Sequence, residues 1–405
     1  MLRPYTGSRT SRAGRLPQLE LGGVWTSNLK KPSFFLPSDM AAGFGGESVI
    51  EMGGDWDMQA AATLTWNLWT AGRLSAARGA AAEVLAATEW ERDAVRDGVI
   101  FTAEAAYYNV LLAAEQVDIA QQAQIASAEA LRVTEAAFEQ GTASRFDLLR
   151  ARVEEANREA PVVQARNRLL LQNLQLLRVC GLPHGTTISL TDSLAGVAPA
   201  EQLDALLERM HDRSPELRAL THAVAARRQS VSLAKAARGP VVQFQGRYAL
   251  QGQWDDSIFP DENGAVTSAS AALAVSLPVF DGFTAKAGIQ RSRADSRSAE
   301  IELERVTRDR DLSVRQAHLN LENALAALEG RREGADLATE AYRLAVVRLE
   351  NGLATGLERL DAELAMTEAR VQLAESLYNC NLAEAGLKLA VGGSDVSLPA
   401  IKEKK

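Results

Sequence analysis

Two spacings alternate along this chain. Apolar residues at every second position mark four short stretches, and apolar residues three and four apart mark the long runs between them. In the stretch 60–69, Ala62, Leu64, Trp66 and Leu68 face one way while Thr63, Thr65 and Asn67 face the other. In 241–251, Val242, Phe244, Tyr248 and Leu250 oppose Gln243, Gln245, Arg247 and Gln251. In 269–279, Ala271, Leu273, Val275, Leu277 and Val279 oppose Ser270, Ala272, Ala274 and Ser276. The segment 16–28 alternates in part, with Leu19, Leu21 and Trp25 on one face. Period-two alternation predicts strands, here over ~16–28, ~60–69, ~240–251 and ~269–280.

The runs between them read as helix over ~71–140, ~144–180, ~215–238, ~284–351 and ~355–390, and 71–140 alone predicts a rod of about 100 Å. The second run carries an apolar seam: Phe146, Leu149, Val153, Ala156, Ala160, Val163, Leu170, Leu174 and Leu177. The fifth carries Leu357, Leu360, Leu364, Val371, Ala374 and Tyr378. A sustained seven-residue repeat of this kind specifies coiled-coil packing. Pro161, inside the second run, predicts a local bend.

Between paired helical runs one stretch occurs twice, as Glu139-Gln-Gly-Thr-Ala-Ser-Arg-Phe-Asp-Leu-Leu-Arg-Ala151 and Glu350-Asn-Gly-Leu-Ala-Thr-Gly-Leu-Glu-Arg-Leu-Asp-Ala362. Each has a glycine, then small residues, then an acid. A glycine closing a long helical run is a stop and turn signal, because it takes left-handed angles at little steric cost. The two copies therefore read as helical-hairpin tips in a tandem duplication, aligned without a gap at an offset of 211 residues from Leu64/Val275 to Gly181/Gly392. The resulting layout is a first repeat at 1–183, a connecting segment at 184–213, a second repeat at 214–392 and a tail at 393–405. In the second repeat, Ser214 and Pro215 open a helix whose counterpart in the first would start before Met1, so the chain reads as truncated at its N-terminus.

Composition narrows the function. The 405 residues carry a net charge of −8 with scattered basic side chains, which gives no electrostatic case for nucleic acid. No apolar run reaches the length of a transmembrane helix, and the first residues lack an apolar signal core or a lipid-bearing cysteine. Cys180 and Cys380 fall late in helical runs and read as buried free thiols. His184, His211, His222 and His318 show no metal-ligand spacing, and no catalytic constellation or phosphate-cradling loop is present, so neither an enzyme nor a cofactor is expected. Four strands of about ten residues suit a membrane β-barrel, yet four cannot close one, and open edges are not tolerated in lipid. Subunits would then have to associate.

At these residues the chain resembles the TolC-like outer-membrane efflux family. The resemblance rests on the duplication, the strand-to-helix junctions Trp66-Asn-Leu-Trp-Thr-Ala-Gly72 and Leu277-Pro-Val-Phe-Asp-Gly282, and the two tips, and it covers about residues 11–392. It implies a mainly α fold with a membrane β part, four strands per chain contributing to a trimeric twelve-stranded barrel continued by an α-helical barrel. It also implies a homotrimer in the outer membrane, contacting outer-membrane lipid, and working with a periplasmic adaptor and an inner-membrane transporter. The expected role is a passive exit duct for small molecules such as drugs or metals. Alternatives are a duct for type I protein secretion, and a soluble coiled-coil scaffold or non-functional truncated copy.

The tips are the candidate functional site: Gly141, Thr142, Ala143, Ser144 and Asp147 in the first, Gly352, Leu353, Ala354, Thr355, Glu358 and Asp361 in the second. The resemblance makes them an adaptor-docking surface, with small residues admitting a partner helix closely; the plain alternative is an ordinary hairpin turn. Asp147 and Glu358 are either helix N-terminal acids or gate residues. Asp147 and Asp361 match acidic positions of the family's gate, while Leu349 and Ala354 stand where its Tyr and Arg would be.

Overall fold

The computed structural model describes residues 14–31, 33–35, 37, 49–51, 53–190, 192–199, 201–255 and 265–393; the tail beyond Gly393 lies outside them. The elements in chain order are β1 (Gln18–Ser27), β2 (Ser33–Phe35), β3 (Val49–Glu51), β4 (Trp56–Trp69), α1 (Arg73–Glu139), α2 (Arg145–Val179), α3 (Leu203–Arg213), α4 (Pro215–Ala236), β5 (Val241–Trp254), β6 (Ala265–Ser276), α5 (Thr284–Glu350) and α6 (Gly356–Val391). The duplication is exact in the long helices: α1 and α5 both run 67 residues, and each starts and ends 211 residues from its counterpart. Two compact units result, one of Met1–Thr88 with Leu220–Glu302 and one of Glu89–Ala219 with Leu303–Lys405.

The first unit holds a four-stranded antiparallel sheet in the order β1-β4-β5-β6. Its register runs from Gln18 opposite Thr65 on one side to Gly252 opposite Ala265 on the other, with an irregularity between Asn67 and Trp69. β1 and β6 are exposed along their whole length and form the sheet's two edges. Trp25 meets Trp254 edge-on at 5.5 Å between ring centres. The sheet departs from the sequence reading in several details: β4 starts at Trp56 and β5 runs to Trp254, beyond the expected ~60–69 and ~240–251. β6 starts at Ala265 and stops at Ser276, because Pro278 has no N–H to give the ladder; Leu277 and Val279 stand exposed beyond it. The first connection also contains a short ribbon of β2 and β3, which no period-two signal of three residues could announce.

β4 and β6 each lead into the following helix through two consecutive left-handed residues. These are Ala71 (φ 49°) and Gly72 (φ 85°) before α1, and Gly282 (φ 63°) and Phe283 (φ 66°) before α5. At the 211-residue offset Ala71 corresponds to Gly282 and Gly72 to Phe283. The backbone path is repeated while the glycine has changed places.

In the second unit the helices are tied in pairs and across the repeats. Arg152 bonds Glu135 (3.0 Å) and Arg168 bonds Gln116 (2.9 Å), joining α2 to α1. Arg331 bonds Gln372, joining α5 to α6, and Arg370 bonds Gln122 (2.6 Å), joining α6 to α1. The connecting segment contains α3, an amphipathic helix that the turn-rich sequence concealed; Leu206 and Met210 are its buried face. Gly392, at φ 90°, lies so close to Ser214 that a Cβ there would meet Ser214 Cα at 2.6 Å.

The seam of α2 departs most from expectation. Phe146, Leu149, Val153, Val163 and Leu170 are exposed, and the buried residues are Leu148, Val162, Leu176 and Leu177. The in-chain face of α2 is thus turned away from the apolar stripe until its last two turns. In α6 Leu360 and Ala374 of the equivalent stripe are buried, while Leu357 and Leu364 are not. Cys380 is buried as expected, but Cys180 is exposed because it is the cap residue past the end of α2 rather than part of its packed face.

Candidate functional site: the two hairpin tips

Both tips are built by one device. In the first, Gly141 N–H donates to Phe138 O (3.0 Å) and Thr142 N–H to Ala137 O (2.9 Å), with Gly141 at φ 74°. In the second, Gly352 N–H donates to Leu349 O (3.0 Å) and Leu353 N–H to Arg348 O (2.8 Å), with Gly352 at φ 71°. This double bond pattern is the Schellman ending, which satisfies the last carbonyls and requires a left-handed residue. A Cβ on either glycine would meet nothing within 4 Å, so conformation alone demands glycine there.

The return helices open on capping side chains. Ser144 Oγ accepts from Asp147 N–H (3.1 Å) while Asp147 Oδ2 accepts from Ser144 N–H (3.1 Å), a complete capping box. Thr355 Oγ1 accepts from Glu358 N–H (3.2 Å). Both acids are therefore third residues of their helices. The Ser144 hydroxyl, then its backbone N–H, holds the Asp147 carboxyl below the usual aspartate range. Thr142, Ser144, Asp147, Leu353, Thr355, Glu358 and Asp361 are exposed, whereas Ala143 and Ala354 are half-buried under the turns.

Two features escaped the sequence reading. Arg348 Nη2 donates to Leu353 O (3.1 Å) and stands 3.9 Å from Glu358, so one side chain braces the second tip; its counterpart in the first is Ala137. Two turns into α6, Glu363 is fully buried between Arg359 (2.7 Å) and Arg158 of α2 (3.6 Å), and Arg158 also meets Glu154 (2.7 Å). Glu363 Oε1 has no hydrogen-bond partner. Only the two spacings of four, Glu154–Arg158 and Arg359–Glu363, were visible in sequence, and they are indistinguishable from surface helix pairs.

The histidines are dispersed: His222 meets Glu83 (2.8 Å), His211 meets Asp311 (3.2 Å) and His318 meets Glu201 O (3.1 Å). Among the described residues no group of three or more His, Cys, Asp or Glu could hold a metal ion, and no helix is long and apolar enough to cross a membrane. What the site offers is shape: two exposed, tightly stapled turns of small residues at the ends of long helices.

Duplicated hairpins of this length, fed by a four-stranded sheet, define a class, and the family model described as outer membrane efflux protein matches residues 8–182 and 206–393. The chain belongs to that family, as an outer-membrane efflux component. It is 26% identical over 397 residues to the probable efflux pump outer membrane protein SepC of Pseudomonas putida, covering 95% of this chain and 77% of that one. The toluene efflux pump outer membrane protein TtgF, from another strain of that species, is as similar over the same span. Among solved structures the outer membrane protein VceC of Vibrio cholerae shares the fold, with a TM-score of 0.75 at 19% identity, covering 96% of this chain and 90% of that one. The relatives are channel and transport proteins, not enzymes.

Proposed function

We propose that this chain is one of three subunits of a passive exit duct for small molecules. Each chain supplies four strands to a twelve-stranded barrel in the outer membrane, and its helices extend into the periplasm. The repeats 1–183 and 214–392 act as equivalent building blocks around the connector 184–213. The observation that carries this is the sheet. β1 and β6 are unpaired edges among the described residues, and Leu19, Leu21, Val24, Val266, Leu273 and Val275 are exposed on them. In lipid an apolar surface is at home and an open edge is not, so neighbouring copies must continue the ladder.

The tips dock a periplasmic adaptor, which links the duct to an energised inner-membrane transporter. The support is their exposure combined with rigidity: stapled turns present Thr142, Leu353 and Thr355 without an ordering cost on binding. The test is to direct the chain to the outer membrane behind a secretion signal and weigh the detergent particle by light scattering. Three chains with ion conductance in a planar bilayer support the duct; a water-soluble monomer or dimer rejects it. Leu353→Asp should then lower export in cells while leaving particle mass and conductance unchanged. Unchanged export would remove the tip from the docking surface.

A further inference from the structure

The register of the sheet sorts its side chains onto two faces. Leu19, Leu64, Phe244 and Leu273 share the apolar one. Across the other runs a row in which Glu20, Thr63, Arg247 and Ser270 stand each opposite the next. In a closed barrel this second face lines the lumen. The four strands carry three charged residues, Glu20, Asp57 and Arg247, and all three belong to it. Asp57 is engaged by Asn28. Glu20 and Arg247 are exposed, and neither has a hydrogen-bond or ion-pair partner among the described residues. The positions around Arg247 on its face hold Thr63, Ser270, Gln245 and Ala249, so no carboxylate adjoins it.

The repeat separates the two free charges. β1 and β5 begin at Gln18 and Val241, 223 residues apart, as are Pro17 and Pro240 before them. At this offset Arg247 corresponds to Val24, and Glu20 to Gln243. Equivalent positions stand at equal depth in a closed barrel. Arginines and glutamates then form two levels four residues apart, about 10 Å along the axis at the usual strand rise and tilt. That is about one Debye length at 0.1 M salt, so the acid level weakens the basic one without cancelling it.

We propose that three Arg247 side chains form a collar inside the barrel that holds compact multivalent anions on the threefold axis; this rests on reading the chain as one of three subunits of a closed duct. Twelve strands about 4.8 Å apart, tilted by about 40°, close into a wall about 24 Å across. Long side chains aimed inward bring the guanidiniums to about half that radius, roughly 10 Å from one another. Arginine stays charged at any working pH, and its planar fork of donors fits phosphate and carboxylate. A lone charge in so wide a lumen attracts small ions weakly. Three around one axis suit a solute that carries several phosphates or carboxylates on a compact frame, and this is the cargo class the collar favours.

Titration calorimetry of the detergent particle with myo-inositol hexakisphosphate at about 0.1 M salt tests the collar. One anion per three chains is expected, with myo-inositol itself not binding. Arg247→Gln should weaken binding at least tenfold, Arg247→Lys should weaken it less, and Glu20→Gln should bind at least as tightly as the parent. Light scattering checks that each variant particle still holds three chains, and the ratio in the parent stands whether or not a variant assembles. Unchanged binding in Arg247→Gln, one anion per single chain, or a three-chain parent particle that binds none would each overturn the collar while leaving the duct standing. A monomeric particle overturns both readings.

Discussion

The return helices α2 and α6 start 211 residues apart, open on the same kind of cap and carry apolar residues at the same three-and-four spacing. They end in different surroundings. α6 buries ten residues, among them Leu360, Met366, Ala374 and Cys380, whereas α2 buries four and bares much of its stripe. Glu363, fully buried between two arginines in α6, corresponds in α2 to Arg152, exposed and paired with Glu135. Gly392 is pressed against Ser214, while its counterpart Gly181 has open space around it. A repeated pattern thus specifies a repeated surface, and the position in the chain decides what covers it. One copy is filled from within and the other awaits filling from outside.

Substitutions at matched positions can break this contrast, and the largest effect is expected at Glu363. Glu363→Leu strands Arg158 and Arg359 without their shared carboxylate and should cost about 3–5 kcal/mol, read as a lower midpoint of thermal melting of the particle. Arg152→Ala, losing an exposed pair, should cost under about 1 kcal/mol. Equal losses would mean that the buried cluster is not the pin it resembles. Gly392→Ala combines left-handed strain with a backbone collision and should cost about 3 kcal/mol or more; Gly181→Ala carries the strain alone, at about 1–2 kcal/mol. The melting difference between these two isolates the contact with Ser214.

Smaller effects sharpen the picture. Ala71→Gly should stabilise by about 1 kcal/mol, since a left-handed alanine is relieved. Phe283→Gly should gain little, because the edge-on contact of Phe283 with Phe280 (5.7 Å) is lost at the same time. Ser144→Ala and Thr355→Ala should each cost about 1 kcal/mol as lost caps. The first cap also titrates. With the Asp147 carboxyl held below the usual range, its contribution is complete above the ordinary aspartate pKa of about 3.9 and fades as pH falls through the lower folded value. Melting curves taken down to acid pH should show this fade in the parent chain and not in Asp147→Asn.

The tips were legible in sequence because Gly141 and Gly352 state a backbone requirement that few other residues meet, and Ser144 with Asp147 spells a capping box. The long helices were legible for the same local reason. What Leu149 touches was not, because spacing fixes which residues share a face but says nothing of what lies opposite. Glu363 was hidden likewise: only the tertiary approach of α2 removes it from water. Arg348 could have been noticed from the four-residue step to Gly352, where a long cation reaches the carbonyls past a helix end.

The junctions entering α1 and α5 bear on how such chains diverge. Each needs two successive left-handed residues, and glycine holds the second place in one repeat and the first in the other. The inherited requirement therefore belongs to the pair as a whole. Either site can carry a side chain while the other stays glycine, at the cost of one strained residue, so descendants of one ancestral corner can share a shape with no glycine in common.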